Sequence, residues 1–430
     1  MDVPRETIMQ KHPLAGLANQ AADGRRRGIA SICSAHPFVI EAALQQAAEN
    51  RSPVLIEATC NQVNHLGGYT GMTPAAFRDF VFGHAEKAGL PSENIVLGGD
   101  HLGPNPWKAL AGDEAMRESE RMVAAYLEAG FTKLHLDTSM ACRGDPAPLP
   151  ETTIAARAAQ LASVAERVSA STGVVPFYVV GTEVPIPGGA HETIVSLEVT
   201  SAEAAIRTAA LHQEAFAAAD VDAAFKRVIA LVVQPGVEFG SENVVPYLPD
   251  RAADLTAALE RLPGLVFEAH STDYQSSDSL RALVKDGFAI LKVGPALTFA
   301  MRETLYGLDA IARVVRPRSP SLIDEMERLM CDQPAEWQPY YSGSNDERHI
   351  ARHFSYSDRI RYYWPLPRAR NAVDRLLSEL QDVALSETLI SQYLPRLYER
   401  ARERALAIGP RALIAESVKD VLCIYAVACR

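Results

Sequence analysis

Eight short apolar runs, each followed by a longer Ala-, Glu- and Arg-rich segment, constrain this chain more than any other feature. The runs are 28–34, 53–58, 95–99, 132–137, 174–182, 228–234, 265–269 and 288–294. Apolar runs of this length read as buried parallel strands, and strands alternating with helices imply parallel pairing. Eight such repeats predict a (β/α)8 TIM barrel. A doubly wound open sheet would need an early strand running into G-x-G-x-x-G, and none of these strands does. Helix starts are legible as well. Thr73 precedes Pro74, Thr200 and Glu203 have capping-box spacing, Asp113 precedes an amphipathic run, and 151–170 reads as helix throughout.

Beyond Arg316 the pattern changes. Pro317, Pro320, Pro334 and Pro339 punctuate a stretch rich in Arg, Trp and Tyr, and helical apolar spacing returns at 372–380 and 413–427. The expected organisation is a catalytic barrel over 1–316 and a helical extension over 317–430 packed on it.

In a TIM barrel, chemistry belongs at the C-terminal ends of the strands. The third strand runs through two glycines into Asp100 and His101, a proton-transfer carboxylate beside an imidazole able to ligate a metal. A turn in which Asp100 caps a helix and His101 is solvated is the alternative for that pair alone. Other strand ends repeat the pattern. They carry Glu57 on strand two; His135, Asp137 and Ser139 on strand four, with Arg143 in its loop; and Glu183 on strand five. Strand six adds Gln234 and Glu238, strand seven Glu268, His270, Ser271 and Asp273, and strand eight Lys292. His135 lies inside its strand and reads equally as a core histidine. Glu57 and Glu268 sit one residue inside their strand ends, where a buried carboxylate needs a partner. Two histidines on separate strands with a glutamate between them form a plausible shell for a divalent cation.

The formal net charge of −11 argues against nucleic acid or a membrane surface as a partner, while leaving room for a local cationic pocket. The N-terminus has no apolar leader, no apolar run is long enough to span a bilayer, and the six cysteines show no C-x-x-C spacing. A cytoplasmic protein with reduced thiols is expected.

The segments GGDHLGP, GTEVPIPGG, EAHSTDYQ, LKVGPALTF and SDRIRYYWP resemble the tagatose-bisphosphate aldolase accessory (Z-type) subunit family, from about Gly28 to the C-terminus. That family is related to the class II, metal-dependent ketose-bisphosphate aldolases. The resemblance implies Asp100 as the proton-transfer residue, His101 and His270 as metal ligands, and Ser271–Thr272 as a phosphate-binding turn. It also aligns Glu183, with Gly188 and Gly189, with a glutamate region after strand five. The aldolases place another metal-binding His after strand six, where this chain has Gln234 and Glu238. Glu183, Gln234 or Glu238 is therefore expected to complete the shell, and such an oxygen-richer site favours Mg²⁺ or Mn²⁺, with Zn²⁺ the alternative.

Members of that family act either as non-catalytic partners of a class II aldolase subunit or alone, as epimerases interconverting D-tagatose 6-phosphate and D-fructose 6-phosphate. The second role is expected here, with a sugar phosphate as substrate. A homo-oligomer or a class II aldolase catalytic subunit is the protein partner expected. The C4 proton of a 2-ketose is not α to the carbonyl, so simple deprotonation cannot invert C4. Retro-aldol cleavage of C3–C4, turning of the aldehyde and re-addition can. Asp100 is expected to take the C4 hydroxyl proton, with Glu183 a second relay, Arg143, Lys292, Ser271 and Thr272 holding the phosphate, and Glu57 a further substrate contact. A sugar-phosphate kinase would need G-x-x-x-x-G-K-[ST], which is absent from the sequence.

Overall fold

A computed structural model describes residues 12–17, 26–182, 197–317, 320–403 and 408–430. Eight strands close into a parallel barrel: β1 (Ile29–Cys33), β2 (Val54–Thr59), β3 (Ile95–Leu102), β4 (Lys133–Leu136), β5 (Phe177–Val180), β6 (Val228–Val233), β7 (Val266–Ala269) and β8 (Phe288–Val293). Each falls on one of the eight apolar runs. Thr73 caps the helix Pro74–Ala88 through the Ala76 N–H, as its spacing predicts. The expected capping box at Thr200 moves by one residue: Ser201 accepts from Ala204 N–H. Thr200 instead accepts from Gln234 N–H at 2.9 Å, holding the β6 loop.

Side chains inside the barrel form layers, because alternate residues of each strand point inward. The lower layers are apolar: Leu55, Val96, Phe177, Val179, Val266 and Ile290 pack with Leu14 and Leu17, which lie against the strand starts. One layer higher the interior becomes ionic. Glu57, Gly98 and Lys133 are in register across β2, β3 and β4. A Cβ at Gly98 would stand 2.7 Å from Glu57 Cγ. Glycine there lets Lys133 reach Glu57 across the intervening strand.

The helix Pro295–Val315 follows β8, and further helices include Leu322–Asp332, Asn345–Phe354, Pro367–Leu380 and Pro410–Ala428. The last of these packs on the barrel: Cys429 O accepts from Gly28 N–H at 3.0 Å, and Lys419 O from Gln46 at 3.3 Å. A turn at Arg359–Tyr362 is pinned to Pro295–Val315 by Asp358, which accepts from Thr298 Oγ1 at 2.6 Å and Arg302 Nε at 3.2 Å. This anchoring carries Arg361 and Tyr362 to the mouth of the barrel. Among the described residues, no helix is long and apolar enough to cross a membrane.

Candidate active site

The Asp100–His101 pair sits within β3 rather than beyond it. The ladder to β4 shifts register between Gly99 and Leu102, and His101 takes φ 50°. A bulge that places a non-glycine residue in the left-handed region re-aims its side chain at a local cost. His101 thus turns onto Asp137, with Nδ1 2.7 Å from Oδ2. Ser139 fixes the other Asp137 oxygen through its N–H (3.1 Å) and hydroxyl (2.6 Å). Holding Nδ1 on a carboxylate leaves the His101 Nε2 lone pair available for a metal.

Three imidazoles converge at this point. The His101 ring lies 5.0 Å from both His135 and His270, and those two are 5.2 Å apart. With Asp100 they offer four donor atoms within 4.8 Å of one another, all on buried residues. His135 is fully buried, and its Nε2 has no hydrogen-bond partner among the described residues. An orphaned buried nitrogen is costly unless something absent from the protein chain meets it.

Beneath the imidazoles runs the ionic layer. Lys133 Nζ pairs with Glu57 at 2.5 Å and Glu268 at 2.7 Å. Lys292 Nζ lies 2.6 Å from both Glu57 and Asp100, and 3.8 Å from Glu268. Glu268 holds His270 Nε2 at 2.9 Å. Burial pushes the Asp100 carboxyl up, yet His101, Lys292 and His135 outweigh it and hold it well below the usual carboxylate range. Burial likewise opposes the ammonium of Lys292, but Asp100, Glu57 and Glu268 keep it charged. Burial brings His270 down to about 3, so it is neutral. Four carboxylates (Glu57, Asp100, Asp137, Glu268) meet two ammoniums (Lys133, Lys292) and His101, which Asp100 and Asp137 hold above its usual pKa against burial, so negative charge stays in excess even with His101 protonated. That imbalance, with the orphaned His135 nitrogen, matches a divalent cation.

A cavity of about 90 Å³ opens over this cluster, lined by Cys33, Asp100, His101, His270, Ser271 and Lys292 and by Tyr69, Arg361 and Tyr362 at its outer side. The sequence-predicted residues divide around it. Asp100, His101 and His270 meet as expected, and Ser271 lines the wall. Glu57 lies below the cavity as a fully buried counter-ion rather than a substrate contact. Lys292 reaches the cavity, but its charge is committed to carboxylates. Thr272 points away, its hydroxyl donating to Lys292 O at 2.6 Å. The Gln234 side-chain oxygen accepts from Gly236 and Val237 N–H at 2.8 and 3.0 Å, so it braces its own loop instead of reaching the imidazoles. Arg143 is 69% exposed, 4.0 Å from Glu114, and outside the cavity. Glu183 lies outside the described residues.

His135 stands beside His101 and His270, where the sequence led to the expectation of Glu183, Gln234 or Glu238. Its signal was the alternation Lys133, His135, Asp137, which aims all three into the barrel. A second grouping, Glu327, His349 and His353, lies on the extension, where Arg352 already engages both Glu327 oxygens.

Fold and site together define a class: a (β/α)8 barrel with an imidazole–carboxylate centre at its carboxyl mouth and a helical extension reaching over it. Residues 14–430 match the family described as "D-tagatose-1,6-bisphosphate aldolase subunit GatZ/KbaZ-like", and the chain belongs to that family. It is 50% identical over 419 residues to the D-tagatose 6-phosphate 4-epimerase of Agrobacterium fabrum (strain C58 / ATCC 33970), covering 96% of this chain and 97% of that protein. The crystal structure of a probable tagatose 6 phosphate kinase from Sinorhizobium meliloti 1021 is similar throughout. Identity there is 56% and the TM-score 0.88, over 94% of this chain and all of the other.

Proposed function

We propose that this protein is a ketose-phosphate C4-epimerase interconverting D-tagatose 6-phosphate and D-fructose 6-phosphate by cleaving and remaking the C3–C4 bond. The observation that carries the reading is that one chain assembles the parts a retro-aldol needs. An ionised carboxylate, Asp100, stands beside three imidazoles and an ammonium in one buried cluster. The epimerase relative at 50% identity supports the same reaction.

Asp100 is the proposed proton acceptor for the C4 hydroxyl. Lys292 and His135 hold its Oδ1 at 2.6 and 3.0 Å, which orients the carboxylate and stabilises its charged form. His101, His135 and His270 are the proposed cation ligands, with Asp137 and Glu268 fixing two of the rings. A donor set of three imidazoles suits Zn²⁺ or Mn²⁺ ahead of Mg²⁺, because its donors are nitrogen rather than oxygen. A bound divalent cation supplies Lewis-acid stabilisation of the negative charge that bond cleavage creates. Glu183, three residues beyond β5 in sequence, is the candidate for a second proton relay.

The family description names an aldolase subunit, so a non-catalytic partner of a class II aldolase is the second reading. The purified single chain, supplied with Mn²⁺ or Zn²⁺ and either ketose 6-phosphate, separates the two. Interconversion without a second protein is expected, and Asp100→Asn should abolish it while leaving metal content unchanged. An inactive wild-type chain that gains activity only beside an aldolase subunit would establish the second reading. Normal turnover by Asp100→Asn would remove Asp100 from the chemistry.

A further inference from the structure

The substrate's phosphate needs a cationic seat, and the positions that sequence suggested for it offer no uncommitted cation at the cavity. The N-terminus of helix Pro295–Val315 is an anion site by its backbone geometry. Here Asp273 fills it, accepting from Gly294 and Ala296 N–H at 2.9 and 2.8 Å. Lys292 is bound by Glu57 and Asp100, Thr272 by a main-chain carbonyl, and Arg143 lies away from the cavity.

A larger chamber of about 460 Å³ adjoins the catalytic cavity and shares Cys33, Gln62, Tyr69, Gly294 and Arg361 with it. Its walls hold three guanidiniums, Arg361, Arg370 and Arg411, against the single carboxylate Asp374. In a chain of net charge −11 this is a local inversion of sign. Arg361 stands at the junction of the two spaces. Its Nη1 donates to the carbonyls of Ser357 and Asp358, and its Nη2 to the Tyr362 hydroxyl at 3.0 Å. These bonds fix the guanidinium plane without neutralising it. The Asp358 carboxylate is itself taken by Thr298 and Arg302. Arg411 is steadied over the Phe38 ring at 5.3 Å. None of the three forms an ion pair with a carboxylate among the described residues.

We propose that Arg361, backed by Arg370 and Arg411, anchors the 6-phosphate of the ketose and serves as the pivot on which the cleaved aldehyde turns. The proposal rests on the epimerase reading and gives it a means of inversion. As C3–C4 breaks, its electron pair passes to the C1–C3 fragment as an enediolate. The C4 hydroxyl proton goes to Asp100, and C4 becomes the aldehyde carbon of glyceraldehyde 3-phosphate. Held by its phosphate, that fragment rotates about its C4–C5 bond and presents the other carbonyl face. C3 then re-adds, the proton returns to the C4 oxygen, and no oxidant or reductant is needed. The adjoining chamber supplies the room for this rotation, and the anchor keeps the triose from leaving.

The test compares wild type, Arg361→Gln and Arg411→Gln as full chains. It reads inorganic phosphate binding by titration, and the ratio of kcat/KM for D-tagatose 6-phosphate to that for D-tagatose. Charge-assisted phosphate contacts predict a fall of roughly 10- to 100-fold in that ratio for Arg361→Gln, with loss of phosphate binding. A smaller fall is expected for the exposed Arg411→Gln. Unaltered phosphate binding and an unaltered ratio in Arg361→Gln would overturn the anchor, as would equal losses on both ketoses. Wild-type protein that binds no phosphate would overturn it too. If wild type turns over neither ketose, the epimerase reading fails, while the phosphate titration of wild type against Arg361→Gln still decides the subsite.

Discussion

Replacing Asp137 with Asn tests whether the three imidazoles form a metal centre or a packed histidine cluster. Asp137 does not itself line the cavity. Its role is to hold His101 Nδ1 at 2.7 Å, and both residues are buried. Asn keeps the shape but removes the charge. A hydrogen bond to an ionised partner is worth about 1.5–3 kcal/mol and a neutral one about 0.5–1.5, so the change removes roughly 1–2 kcal/mol of hold on the ring. Loss of such an outer partner lowers metal affinity about 10- to 100-fold, or about 1.4–2.7 kcal/mol, in agreement with that difference. Competition against a chromogenic chelator for Zn²⁺ or Mn²⁺ reads the change, with thermal melts of metal-free protein as the folding control. A weaker Kd in a folded protein is expected. A wild-type Kd in Asp137→Asn would refute the assignment of His101 as a ligand oriented by Asp137.

Lys133→Met should destabilise the chain by about 3–5 kcal/mol in chemical denaturation, because it strips a fully buried ammonium from Glu57 and Glu268. Adding Glu268→Gln should recover part of that loss, and strict additivity of the two changes would contradict the ionic-layer account. His212 sets an acid limit: it is fully buried, donates to Thr208 O at 2.8 Å, and burial brings its imidazole down to about 4. Because the folded value lies below the unfolded 6.5, its stability contribution is complete above pH 6.5. It is lost as pH falls toward 4, at about 1.4 kcal/mol per pH unit. Melting curves between pH 7 and 5 should therefore flatten in His212→Leu relative to wild type, and parallel curves would reject the assignment.

The barrel was legible because each strand is a short apolar run in a strict alternation with helix, a pattern that few folds share. The convergence of Asp100, His101 and His270 was legible because all three lie in two long specific motifs at strand ends, GGDHLGP and EAHSTDYQ. His135 was harder to read. A histidine inside a strand looks like core until its neighbours at two-residue spacing, Lys133 and Asp137, are seen to face the same interior. The partners of Glu57 and Glu268 were hidden for a different reason. Lys133 reaches Glu57 only because Gly98 stands between them in the sheet, a relation set by register rather than by sequence distance. Arg361 lies 261 residues from Asp100, and only the docking of Asp358 on Thr298 and Arg302 brings it to the mouth. The phosphate was assigned to Ser271–Thr272, Lys292 and Arg143 because no local pattern reveals that a neighbouring carboxylate has occupied a helix terminus or neutralised a lysine.

Inversion through C3–C4 cleavage leaves the C4–H bond unbroken. D-tagatose 6-phosphate carrying deuterium at C4 tests this directly. The account predicts D-fructose 6-phosphate that retains all of the deuterium at C4, formed with no primary deuterium isotope effect. Loss of the label to solvent would show proton abstraction from carbon, and a large primary isotope effect with the label retained would show hydride transfer. Either result would contradict the account.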